Sequence, residues 1–175
     1  MGQIGSIAAT MGKMSLNYSE SLLKDVKADR AGRLGVAGGT AVDSNHPVFV
    51  LGHLSLYASN ILELVGKPKG TTARPAGWEE LFKAGVKCED DPTGKKYPAL
   101  ETVTKFYFDA YRTAIAAVKE TEDSVFAKPN PAGGRFTEMF PTVGDAVMFL
   151  LCGHPMSHLG QFSAWRRIEG LPSAN

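Results

Sequence analysis

The chain has few cysteines and little net charge, and each shortage excludes a class of protein. Its two cysteines, Cys88 and Cys152, lie far apart and form no CxxC pair. Two cysteines give no disulfide framework and favour a reducing compartment. The 19 Lys and Arg residues nearly balance the 18 Asp and Glu residues, for a net charge of +1, and the charges are interspersed. We therefore expect no nucleic-acid partner and no electrostatic attraction to a membrane surface.

Long apolar runs are also missing. The longest, "AVMFLLC" at 146–152, is far shorter than the roughly 20 residues that a membrane span needs. The first residues, "MGQIGSIAATMGKM", lack the basic segment and the apolar core of a secretory signal. These features predict a cytoplasmic protein with no membrane partner. A length of 175 residues suits one domain, which we expect to span residues 1–175.

Four segments carry the three- and four-residue apolar spacing of amphipathic helices. They cover about 3–28, 47–65, 98–122 and 143–169. Asn45 or His46 can cap the second segment with Pro47 at its first helical position, and Thr142 can cap the fourth. The connections are a glycine-rich loop, a long polar loop at 67–97 with one short helical turn at "GWEELFKAG", and a shorter loop. Strand signals are nearly absent, so the predicted fold is an all-α four-helix bundle.

The first segment carries the most regular apolar stripe. Gly5 and Gly12 weaken its early turns, but the spacing of the larger residues is that of an amphipathic helix. The stripe consists of Ile4, Ile7, Met11, Met14, Tyr18, Leu22 and Val26.

Two histidines in the fourth segment have the spacing of a metal-binding pair. His154 and His158 lie four residues apart on the stripe that also carries Leu151 and Trp165. Side chains with this spacing have Cβ atoms about 5–6 Å apart, so both imidazoles can reach one ion. Gln161, one turn later, could orient a ligand or a bound water.

A third ligand must come from another helix, and the second segment offers two histidines. His53 lies well inside that segment, whereas His46 lies roughly 10 Å away along the helix axis. Both cannot easily bind one ion. Because facing helices of a bundle can project ligands toward one centre, we predict His53 as the third ligand and His46 as a cap or rim residue.

Other interpretations of these histidines stay open at this point. Buried histidines are often hydrogen-bonded core residues, and two of them could instead hold haem between helices. The sequence has no HExxH motif, which removes the support for a zincin peptidase. It has no ExxH pair either, which argues against a ferritin-type di-iron centre.

Pro155, between the two paired histidines, is expected to disturb the helix. Proline removes one helical hydrogen bond and disfavours the helical conformation at the preceding residue, so the helix should kink or restart. If it restarts, His154 becomes the cap and Pro155 the first helical residue. Cys152 is expected to be a small buried residue about 200° around the helix from His154. The aromatic residues near the site are expected to belong to the core: Tyr57, Tyr107, Tyr111 and Trp165.

Three motifs together resemble the DinB/YfiT-like family of metal-binding bundles. They are "NHPVFVLGHL", "WEELFKAG…DDPTGKKYPAL" and "HPMSHLGQFSAWRRIEGLP", in the family's order, over about residues 14–172. The resemblance implies a four-helix bundle of up-down-down-up order, often a homodimer. It also implies a divalent metal held by three histidines, which here are His53, His154 and His158. Pro155 departs from the family pattern.

These observations predict a metal-dependent enzyme of the hydrolase or thiol-dependent transferase type, acting on an unidentified small molecule. Three neutral nitrogen ligands with an open fourth position are typical of a catalytic site. The ion could be Zn, Ni or Fe, because nitrogen ligands suit each of them. The alternative is a non-catalytic metal-binding or stress-related dimeric interaction protein. No catalytic acid or base is predicted beside the histidines.

Overall fold

A computed structural model of the chain describes residues 2–174, which are mostly helical. All four predicted segments are helices, although the first and third end earlier than the apolar spacing predicts. The second is divided into two helices, and the fourth into two helices joined by a π-helical turn. These elements are α1 (Gln3–Leu23), α2 (Pro47–Ser55), α3 (Ala58–Leu64), α5 (Leu100–Lys119), α8 (Val143–Met148), the π turn (Phe149–Gly153) and α9 (His154–Ile168).

Short elements occupy the connections. The glycine-rich loop contains a small antiparallel hairpin, which turns at Gly38 and Gly39 with φ of 58° and 81°. Both values lie in the left-handed region that glycine adopts without strain. The predicted turn at "GWEELFKAG" is confirmed as α4, whereas the hairpin, α6 and α7 were not predicted. Their bounds are β1 (Val36–Ala37), β2 (Thr40–Ala41), α4 (Trp78–Phe82), α6 (Asp123–Phe126) and α7 (Gly134–Met139).

α5 and α9 organise the core. α5 packs against α1, α2 and α3, while α9 packs against α1 and α2. Tyr107 and Tyr111 of α5 are fully buried, and Trp165 of α9 is nearly so, which confirms their predicted place in the core. Their polar atoms are satisfied: the Tyr111 hydroxyl donates to the carbonyl oxygen of Leu54 at 3.2 Å. Among the described residues, no helix combines the length and apolarity required to cross a bilayer.

The core-facing side of α1 differs from its apolar stripe. Ile4, Ile7 and Met14 are 40%, 53% and 44% exposed, so the first half of the stripe faces solvent. Small residues face α5 instead: a Cβ on Gly5 would lie 2.5 Å from the carbonyl oxygen of Val118. Close approach of two helix backbones requires side chains of this size. The buried residues of α1 are Gly5, Ala8, Ala9, Gly12, Ser15, Leu16, Ser19 and Leu22.

Candidate metal centre

His53, His154 and His158 come together between α2 and α9. One side-chain nitrogen from each lies within 4.8 Å of the other two, and no fourth histidine, cysteine or acidic residue joins the group in the described part of the chain. Nε2 of His53 lies 3.2 Å from Nε2 of His154. The ring centroid of His158 lies 4.5 Å from that of His53 and 4.7 Å from that of His154. The structure therefore juxtaposes the three residues that the sequence predicted as ligands.

His53 is oriented by the backbone of α4. Its Nδ1 lies 2.6 Å from the carbonyl oxygen of Phe82, which can only accept, so Nδ1 carries the proton and Nε2 presents a lone pair. The preceding residue permits this contact, because a Cβ on Gly52 would lie 2.5 Å from the Phe82 ring. A histidine held in this way is typical of metal ligands, whose second nitrogen is usually hydrogen-bonded.

His158 is oriented in the same way by a side chain. Its Nδ1 lies 3.1 Å from Oε1 of Gln161, which also accepts a hydrogen bond from Nδ2 of Asn45 at 2.8 Å. Because Oε1 accepts both, the proton of His158 is on Nδ1 and its Nε2 is free to bind. The predicted role of Gln161 in orienting a ligand is thus supported by its contacts. The contribution of Asn45 was not predicted.

The π turn carries the chain into the site without a break. Phe149–Gly153 forms the π turn, and α9 follows directly with Pro155 in its first turn. His154 has φ −64° and ψ −50°, so it is helical and is not a cap, which excludes the restart, one of the two outcomes expected at Pro155. Pro155 follows the wider π turn and lies in the first turn of α9, where its missing backbone N–H breaks no α-helical hydrogen bond. Isolated π turns inside helices often mark functional sites.

The spacing of one nitrogen pair and the charge state of all three rings are compatible with a divalent ion. Two nitrogens bound at about 2.1 Å in tetrahedral geometry lie about 3.4 Å apart, close to the 3.2 Å between His53 and His154. Burial lowers the pKa of all three histidines, that of His154 to about 3 with a further contribution from its two neighbours. Neutral imidazole is the form that binds metals. Nδ1 of His154 is buried and has no partner in the described residues.

His46 is a helix cap and lies outside the centre. Its Nδ1 accepts the backbone N–H of Phe49 at 3.1 Å, and its Nε2 lies 3.2 Å from the carbonyl oxygen of Glu89. Both ring nitrogens are therefore occupied, and the ring is fully buried, so it is a cap and not a rim residue. Burial lowers its pKa to about 4. The choice of His53 over His46 agrees with this geometry.

Two expectations about neighbouring residues need correction. Tyr57 is only half-buried, and its ring contacts both His154 and His53 edge-on, with centroid separations of 4.5 and 5.2 Å. It therefore belongs to the wall of the site as well as to the core edge. Cys152 is partly exposed instead of buried, and both it and Cys88 are free thiols.

Comparisons with known proteins identified no relative of this chain. No family model, no curated protein and no solved structure matches the chain. The DinB/YfiT-like resemblance therefore rests on the motifs alone.

Proposed function

We propose that the chain is a metal-dependent enzyme of the hydrolase or thiol-dependent transferase type, with a four-helix bundle of the DinB/YfiT-like kind as its scaffold. His53, His154 and His158 hold one divalent ion, Zn, Ni or Fe. The observation that carries the proposal is the 3.2 Å separation of two histidine Nε2 atoms from facing helices. Two imidazole nitrogens at this distance either share one ion or form one hydrogen bond, in which Nε2–H of His154 donates to His53, and metal content distinguishes the two.

In this proposal the residues around the three histidines orient the rings or donate hydrogen bonds. The Phe82 carbonyl and Gln161 fix the Nδ1 protons of His53 and His158, so that each ring offers Nε2 to the ion. A divalent ion so held, when bound, supplies Lewis-acid catalysis to a carbonyl or a thiol. Three protein donors leave room for a substrate, as in catalytic zinc sites. The Tyr57 hydroxyl is protonated at neutral pH, as tyrosine ordinarily is, and burial raises its pKa further, so it can donate a hydrogen bond.

The alternative function is a non-catalytic metal-binding or stress-related interaction protein that acts as a dimer. One observation favours it: no carboxylate joins the three histidines in the described residues, so the site offers no strong general base of its own. A homodimer, with a small molecule as the partner of the site, is part of either proposal. The exposed apolar residues of α1 are the surface on which a second copy would pack.

The test is metal content, measured by inductively coupled plasma mass spectrometry on untagged protein. We expect about one divalent ion per chain in the wild type, and a loss of it in His158→Ala and His53→Ala. His46→Asn is the matched control, because asparagine preserves an N-cap and the variant should retain the ion. Absence of metal from reconstituted wild type, or its retention in both ligand variants, would refute the proposed centre.

A further inference from the structure

A cavity of about 480 Å³ lies next to Tyr57, whose ring packs against His53 and His154, and we call it the side cavity. Its volume is in the usual range of small-molecule sites, about 300–1,000 Å³. α3, the loop before α7, α7 itself and the π turn form its walls. The lining residues are Tyr57, Asn60, Glu63, Leu64, Pro131, Ala132, Phe136 and Leu150.

Tyr57 joins the side cavity to the candidate metal centre. Its ring packs edge-on against His154 and His53, and the same residue lines the cavity. Leu150, on another wall, belongs to the π turn that leads to His154. A molecule in the cavity that touches Tyr57 is therefore one aromatic ring away from two of the three ligands.

The cavity offers two hydrogen-bond donors that no group in the described part of the chain occupies. Oδ1 of Asn60 accepts from Nη2 of Arg74 at 2.7 Å, which directs the amide so that Nδ2 is left as a donor. Within the described residues neither that Nδ2 nor the Tyr57 hydroxyl has a partner, and neither atom is fully buried. Two neutral donors on consecutive turns of one helix suit a carbonyl oxygen.

The charges around the cavity disfavour an anion. No lysine or arginine lines it, whereas Glu63 does, and its carboxylate is paired with Lys69 at 2.7 Å. The nearby Arg74 is already engaged by three groups, the Leu56 carbonyl, Asn60 and Glu79. A carboxylate in the cavity would thus lose water without gaining a cation.

We propose that the side cavity binds a neutral amide or ester with an apolar body, whose carbonyl oxygen accepts hydrogen bonds from Tyr57 and Asn60. The apolar lining holds the body, and the carbonyl end lies at Tyr57, the residue that the cavity shares with the candidate metal centre. This names the substrate class of the proposed enzyme, and it rests on the proposed function for the reaction but not for binding.

The experiment uses three probes that share one phenyl group: phenylacetamide, phenylacetate and 2-phenylethylamine. Each is titrated into ¹⁵N-labelled, metal-free protein and followed by amide chemical shifts. We expect phenylacetamide to shift residues 57–64, 131–136 and 150, and to bind more tightly than either charged probe. Shifts elsewhere, tighter binding of a charged probe, or no shift up to the solubility limit would overturn the proposal.

Three variants separate a binding role from a structural one. Asn60→Asp keeps the acceptor for Arg74 but replaces the donor, and Tyr57→Phe keeps the ring but removes the hydroxyl. Each variant should lower the affinity for phenylacetamide about five-fold or more. Ala132→Trp, on the exposed loop, should block the cavity, whereas Ala41→Trp on the distant hairpin is its control. Unchanged affinity in Ala132→Trp or in both donor variants would contradict the proposal.

Binding by metal-free protein makes the two proposals independent. If phenylacetamide binds as expected but reconstituted protein holds no metal, the side cavity stands and the enzyme proposal fails. If metal binds to the three histidines but no probe enters the cavity, the substrate class is wrong and the metal centre stands.

Discussion

Nδ1 of His53 and the carbonyl oxygen of Phe82 are 2.6 Å apart, so the backbone of a short helix in a long polar loop fixes the tautomer of a candidate ligand. Gly52 makes that approach possible, because any larger residue would overlap the Phe82 ring. In the proposed centre, metal affinity would therefore depend on the packing of this loop through one contact.

The first prediction concerns Gly52→Ala. The added Cβ would lie 2.5–2.7 Å from three carbons of the Phe82 ring, and Phe82 is fully buried, so the ring and α4 must move. We expect a loss of about 1–3 kcal/mol in the free energy of unfolding, together with weaker metal binding. Denaturant unfolding and chelator competition measure the two effects.

Gly160→Ala is the matched control for that variant. Gly160 lies in α9, two residues from His158, and a Cβ there would meet nothing within 4 Å. It should raise stability by about 0.5–1 kcal/mol and leave metal affinity unchanged. If the two variants behave alike, the Gly52–Phe82 approach has no special role.

The second prediction concerns Gln161→Leu. The change removes the acceptor that holds the Nδ1 proton of His158, so the ring loses its fixed orientation. We expect metal affinity to fall by about 10-fold or more, as for other orienting partners. Gln161→Glu retains an acceptor and should restore most of the affinity. Equal affinity of all three proteins would show that the contact does not act on the metal.

The third prediction is a dependence of stability on pH that originates at His46. Its pKa is about 4 in the folded protein and about 6.5 in the unfolded chain, so the unfolded chain takes up the proton first as pH falls. The contribution of His46 to the free energy of unfolding is therefore fully present above pH 6.5. It decreases by about 3 kcal/mol as pH falls from 6.5 to about 4.

His46→Asn isolates that contribution, because the variant keeps a capping side chain without a titrating ring. Metal-free wild type and variant are unfolded with urea at several pH values. The difference between their unfolding free energies should change across pH 6.5–4 and be constant above it. A constant difference over the whole range would mean that His46 is not buried as a neutral ring.

The fourth prediction addresses the exposed apolar residues of α1. If a second copy packs there, wild type is a dimer in light scattering and Ile7→Glu shifts it to monomer. Met139→Glu is the control, since Met139 is 58% exposed but lies on α7. A monomeric wild type, or a dimer that survives Ile7→Glu, would exclude this face as the interface.

The grouping of the three candidate ligands could be predicted from sequence because the chain offers few candidates. Only four histidines exist, two have helical spacing, and Pro47 at the first helical position made His46, or else Asn45, the expected cap. The partners of those ligands could not be predicted in the same way. The acceptor for His53 is a backbone carbonyl, which every residue carries, so no side-chain pattern identifies it.

The apolar spacing could not predict which face of α1 is buried, and the reason is physical. Periodicity weighs residues by hydrophobicity, and isoleucine and methionine dominate such a pattern. Contact with α5 is instead set by how closely the backbones approach, which favours Gly5 and Gly12 on the buried side. The π turn could not be predicted either. It is defined by the backbone hydrogen bonds of the "FLLCG" segment, and apolar residues like these also occur in ordinary α-helices.

The π turn makes the site sensitive to the number of residues before His154. Because its bonds run from residue i to i+5, it holds one residue more than an α turn, and each residue rotates a helix by about 100°. Deleting one residue from 149–153 would allow a regular helix from α8 into α9, yet it would swing His154 and His158 away from His53. Two chains with all three histidines but with different lengths at this turn would therefore not share a metal centre.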